Sequence, residues 1–138
     1  MMMYTAQEIA DYVVSKCIKD GCPISNLQLQ KILYFLQAGA LHAGRGTAFG
    51  DEIEAWQFGP VVPGVYYQFS RYGAMPITSP GEVELLPEDR AVLDPIIEEK
   101  RAMGAWELVD ESHQEGGPWA RNYKGPGSRH SIPVSDIE

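Results

Sequence analysis

Cysteine is scarce in this chain of 138 residues: Cys17 and Cys22 are its whole complement. A disulfide between them is not expected in a reducing cytosol. With the scattered His42, His113 and His130 they fall short of the ligand set a metal ion needs. No run of residues approaches the roughly 18 apolar positions of a membrane-spanning helix. The opening stretch MMMYTAQEIADYVV has no basic segment before its apolar positions and carries Glu8 and Asp11 among them. That excludes the pattern of a secretory leader, so a cytoplasmic location is expected. Positive charge is short as well: 11 Lys and Arg stand against 19 Asp and Glu, a net charge of −8. An acidic chain repels phosphate backbones, which excludes direct nucleic-acid binding as the leading reading.

The excess acid is local. Residues 82–115 hold eleven acids and three bases, while the segments on either side are close to neutral. This segment, with Glu98 and Glu99 at its middle, reads in two ways. It is a solvated helix face, or it draws in a basic protein partner and speeds the encounter.

What the chain does have is apolar residue, 44% of the total. By length it is one domain, residues 1–138, and a domain of this size buries roughly two-thirds of its unfolded surface. Thr5-Ala-Gln-Glu8 is a capping box, in which the hydroxyl takes an amide of the first turn and the carboxylate reaches back. Ile9, Tyr12, Val13 and Cys17 follow at helical spacing. Asp20-Gly21 and Pro23 end that helix. Ser25-Asn-Leu-Gln28 starts a second helix in the same way, to about Ala43. Leu29, Ile32, Leu33, Phe35, Leu36, Ala40 and Leu41 make it apolar on most sides, so neighbours cover it on most sides. Gln30, Lys31, Tyr34, Gln37 and Ala38 make its narrow polar edge, and Gln28, Gln30, Lys31 and Gln37 are expected to meet solvent, needing partners if they are buried.

Gly44, Gly46 and Gly50 lie between a helix end and a strand, the wrong order for a phosphate cradle. The strand EIEAWQF needs a partner, and Met75-Pro-Ile-Thr78 is the expected one. Gly59-Pro60 is expected as a sharp turn, and Pro63 opens a helix to Tyr72. Pro87-Glu88-Asp89 starts a further helix, within which Pro95 is expected to kink or split it. Trp106, Leu108 and Val109 mark a short helix ending near His113, and Pro118-Trp119 opens a last one. KGPGSRHS, residues 124–131, reads as loop. Ser135 and Glu138 repeat the capping-box spacing, with at most one turn expected after Ser135. The fold class is mainly α with a small two-stranded β-ribbon (α+β), a compact helical domain around a central buried helix at about 25–43.

Catalytic arrangements fare poorly. Neither cysteine sits in an activating environment, and the adjacent pairs Glu98/Glu99 and Asp110/Glu111 splay apart on a helix. His113 reads as a cap on the preceding helix with Trp119 packed over it, as a partner contact, or as part of a small-ligand or enzyme site. Exposed aromatics among Trp56, Tyr66, Tyr67 and Tyr72 are the candidate anchors for a protein partner.

One conjunction is specific. Leu29-Gln30-Lys31-Ile32-Leu33-Tyr34-Phe35 is followed by Glu54-Ala55-Trp56, by Gly59-Pro60-Val61-Val62-Pro63 with Tyr66, and by His113 with Pro118-Trp119. Together these resemble the Panacea antitoxin domain family, which includes SocA-type antitoxins and phage-associated GepA-type proteins, over about residues 5–123. The resemblance implies an α-rich domain, without cofactor, metal or catalytic residues, that neutralises a cognate toxin by direct binding. Gln30, Lys31, Tyr34, Trp56, Gly59, Pro60, Val61, Pro63, Tyr66, His113, Pro118 and Trp119 would be its family residues. An adaptor that hands a bound protein to a protease is the alternative.

Overall fold

Two local devices set the first two helices. In the computed structural model, which describes residue 2 and residues 4–137, the Thr5 hydroxyl accepts the Glu8 amide at 3.1 Å and the Glu8 carboxylate accepts the Thr5 amide at 2.9 Å. Helix α1, Ala6–Lys19, begins there. Ser25 and Gln28 make the same pair of bonds at the start of α2, Asn26–His42. Six further helical segments follow: α3 (Pro63–Gln68), a 3₁₀ turn (Ser70–Tyr72), α4 (Pro87–Lys100), α5 (Ala105–Ser112), α6 (Pro118–Asn122) and α7 (Val134–Ile137). Prolines open α3, α4 and α6, where a missing amide costs nothing. Helix accounts for 53% of the described residues, and the strands among them form one small antiparallel sheet. Among the described residues no helix is long and apolar enough to cross a membrane.

Helix α2 is the axis. It touches α1, α3, α4, α5, α7 and the sheet. Leu29, Ile32, Leu33, Leu36 and Ala40 are fully buried along it, packed with Ile9, Val13 and Cys17 of α1 and Leu93 and Ile97 of α4.

The sheet corrects several expectations. Its strands are β1 (Ile53–Trp56), β2 (Gly59–Val61) and β3 (His130–Ile132), in the order β2-β1-β3. Glu54 faces Val61 and Ser131. The ribbon thus has three strands, and residues 75–78 are not among them. Ile77 is instead buried and donates its amide to the Ile24 carbonyl at 2.9 Å, sealing the turn between α1 and α2. Gly59-Pro60 is not the turn: Gln57 and Phe58 make it, and Gly59-Pro60 forms β2. An edge strand tolerates proline because its outward side needs no donor. The segment expected as loop supplies β3 through His130 and Ser131.

Pro95 does not split α4, which runs unbroken from Pro87 to Lys100. Pro95 and Ala91 both lie on the exposed face, where water can take the carbonyl that proline leaves free. The last helix is a single turn with Ile137 buried. The capping partner expected for Ser135, Glu138, lies outside the described residues.

Candidate functional site

The polar residues of α2 build the site from below. Gln30, Lys31 and Gln37 do not reach solvent: each is 2% exposed or less. The reading failed because α2 is enclosed by packing on its polar edge too. Buried polar groups need partners, and all three find backbone. Gln37 accepts the amides of Ala48 and Phe49 at 2.8 and 3.3 Å and donates to the Phe49 carbonyl at 3.0 Å. Gln30 donates to the Asn26 side chain at 3.0 Å and accepts the Val62 amide at 2.9 Å. The Lys31 ammonium donates to the Pro60 carbonyl at 2.8 Å. Gln28 is half-buried and donates to the Met103 carbonyl at 3.1 Å, and Tyr34 is buried with its ring edge-on to Phe35.

The Gly-Pro-Val-Val-Pro run is therefore held by two adjacent side chains of α2. Gly59 has φ +107°, and a Cβ there would lie 2.7 Å from Ser112 Oγ and 2.8 Å from Lys31 Cε. Glycine is what lets the strand lie on the lysine. Val61 and Val62 are buried beside it, and Pro63 starts α3. Burial alone pushes the Lys31 pKa down to about 7.

A second latch comes from α6. Trp119 donates its indole N–H to the Trp56 carbonyl at 2.6 Å. Its ring lies flat on His113, with centroids 3.6 Å apart and planes 8° apart, and Tyr123 stacks at 4.6 Å. The His113 backbone amide caps α5 by donating to the Val109 and Asp110 carbonyls. Its Nε2 is buried without a partner. Burial and the nearby Lys31 charge hold its pKa below the usual histidine value. His113 is thus a packed side chain in a three-ring stack.

These latches leave one aromatic surface outward. The Trp56 ring meets Tyr66 edge-on at 5.2 Å and Tyr67 at 6.2 Å. The Arg129 guanidinium lies 4.3 Å from the Trp56 centroid and donates to the Tyr67 hydroxyl at 2.8 Å. Beside them Phe58 packs edge-on to Trp106 at 5.4 Å, although the two side chains are 50% and 60% exposed. Tyr67 is 53% exposed. Between Trp56, Tyr66 and Phe58 runs an open groove of about 260 Å³, with Lys31 and Arg129 in its lining.

Trp56, Tyr66 and Tyr67 come together, but Tyr72 does not join them. Its hydroxyl accepts the Ser79 amide at 3.1 Å and an Arg71 N–H at 3.3 Å, tying the 3₁₀ turn to the next loop. Glu98 and Glu99 are exposed on α4 and touch none of these aromatics. Glu98 lies 3.1 Å from Lys16, and Glu99 3.7 Å from Lys100. Phe58, Trp106 and Arg129 were not singled out from the sequence. The signal for the first two was a large aromatic in a turn and another at a helix start. Arg129 gave none, because it arrives from more than 60 residues along the chain.

Residues 29–120 match the family model for the antitoxin SocA-like, Panacea domain, a span that contains both latches. The chain is also similar to the antitoxin SocA of Caulobacter vibrioides (strain NA1000 / CB15N). The two are 35% identical over 137 aligned positions, covering 89% of this chain and 72% of the relative. No solved structure matches.

Proposed function

The chain belongs to the SocA-like Panacea antitoxin family, and from that premise we propose that it neutralises a toxin by direct protein contact through the aromatic face around Trp56. It acts as one domain over residues 1–138, in the cytoplasm, by binding rather than by bond chemistry. The observation that carries the reading is the exposure of Phe58 and Trp106, packed edge-on to one another, and of Tyr67 on the Trp56 ring. Large aromatics left in water on a rigid support are the usual anchors of an interface. The support is rigid because the strands beneath are held by Lys31, Gln30 and Trp119. The acidic faces of α4 and α5 lend a long-range attraction to a basic toxin.

The test is co-expression with the product of the neighbouring gene, followed by affinity purification. A toxic neighbour that is neutralised and co-purifies supports the proposal. The double variant Tyr67→Ala/Trp106→Ala should keep its thermal stability and weaken association by about 30-fold or more, the loss of about 2 kcal/mol expected for a central aromatic anchor. Undiminished association of that variant would remove this face from the interface.

A further inference from the structure

The groove beside Trp56 has a chemistry unlike the rest of the surface. Its cations are Lys31 and Arg129, its walls are Trp56, Phe58 and Tyr66, and no acid is among the described residues lining it, although Glu54 outside the lining accepts the Trp56 indole N–H at 2.9 Å. Other clefts of this acidic protein differ. The one between α1 and residues 83–90 contains Asp20 and Glu84, the one beside β3 and α7 contains Asp51 and Glu52, and the one between α2 and α6 contains Glu99 and Asp136. Lys31 forms no ion pair among the described residues; its one bond is to the Pro60 carbonyl. An ammonium has three N–H donors. A buried cation with one neutral partner gains from an anion that approaches it. Arg129 at the rim is held in place by Tyr67 and the Trp56 ring, with its exposed guanidinium still able to meet a carboxylate.

We propose that this groove receives an acidic side chain of the toxin, its carboxylate paired with the exposed Arg129 over the buried Lys31, whose charge it feels without contact, and its methylene stem lying along Trp56. The groove is half open to solvent, which suits a side chain entering from a segment that passes over it. The inference rests on the reading of this face as the toxin contact, and adds the chemistry of one anchor to it.

The test needs no toxin. The full chain, labelled at lysine and tryptophan, is titrated in an NMR experiment with a capped pentapeptide of alanines around one central glutamate. The controls are the same peptide with glutamine, the glutamine peptide with a free C-terminal carboxylate, and inorganic phosphate. The glutamate peptide should move the Trp56 indole and Lys31 side-chain signals saturably and bind at least tenfold more tightly than any control. It should also raise the midpoint of the Lys31 titration. Arg129→Gln, an exposed change that leaves the latches intact, should weaken it at least fivefold. Equal binding of the glutamine peptide, tighter binding of the free C-terminus or of phosphate, or no saturable shift would each overturn the proposal. Failure here with a toxin that still co-purifies removes the acidic anchor alone; a toxin that does not associate removes the parent reading whatever the peptides do.

Discussion

Replacing Lys31 by Met keeps the length of the side chain and removes its charge. Two effects follow, and only one depends on pH. Loss of the bond to the Pro60 carbonyl leaves a buried acceptor unpaired and costs about 1–3 kcal/mol at any pH. Loss of the amine removes a group whose pKa falls from about 10.4 in the unfolded chain to about 7 in the folded protein. Below pH 7 Lys31 is charged in both states and the native protein bears the full cost of burying that charge. Between pH 7 and about 10.4 the unfolded state binds more protons than the native state, so native stability rises with pH. The slope is at most about 1.4 kcal/mol per pH unit, and the interval sets a ceiling of about 4–5 kcal/mol. Urea unfolding of both proteins from pH 7 to pH 10 isolates the term, because the His113 ring, on which the Lys31 charge also acts, is held below the usual histidine value and the other groups cancel in the difference. Wild type should gain on Lys31→Met steadily across this range. A difference that stays flat across the range would mean that the amine is not buried as an uncompensated cation, and the account of the groove floor would fall with it.

Gly59→Ala forces a side chain into a positive φ and against Ser112 and Lys31, and should lower stability by about 3 kcal/mol or more in thermal unfolding. Gly64→Ala, where a Cβ meets open space, should change it by less than about 1 kcal/mol. Gln37→Leu strands the Ala48 amide and the Phe49 carbonyl and should cost about 3 kcal/mol in urea unfolding. Glu99→Lys should slow association with the toxin a few-fold at low salt and little at high salt, measured by stopped flow; an unchanged rate would rule out steering by α4.

The helices could be read from the sequence where their signals are local. The boxes at Thr5–Glu8 and Ser25–Gln28 each need only four residues and operate as read. The sheet could not, because β1 finds a partner at His130–Ile132, far along the chain, while Met75–Thr78 looks as strand-like and goes elsewhere. Gln30, Lys31 and Gln37 show a different limit. Helical periodicity reports which face of α2 is least apolar but not whether that face is covered. The covering is done by Gly59–Val62 and Ala48-Phe49, whose own amides and carbonyls supply the partners. Of the residues quoted for the family resemblance, Gln30, Lys31, Gly59 and Trp119 hold the strands, a role their spacing did not reveal, while the exposed aromatic pair Phe58 and Trp106 lies in the matched span and Arg129 beyond it.

The hairpin of β1 and β2 is clamped by Trp119 on one side and completed by β3 on the other, both encoded well after it. A ribosome making this protein releases α1, α2 and the hairpin first, and the finished surface exists only once residue 132 has emerged. A polypeptide broken before that point would carry the helices without a complete β3, so the aromatic face is finished after the helices beneath it.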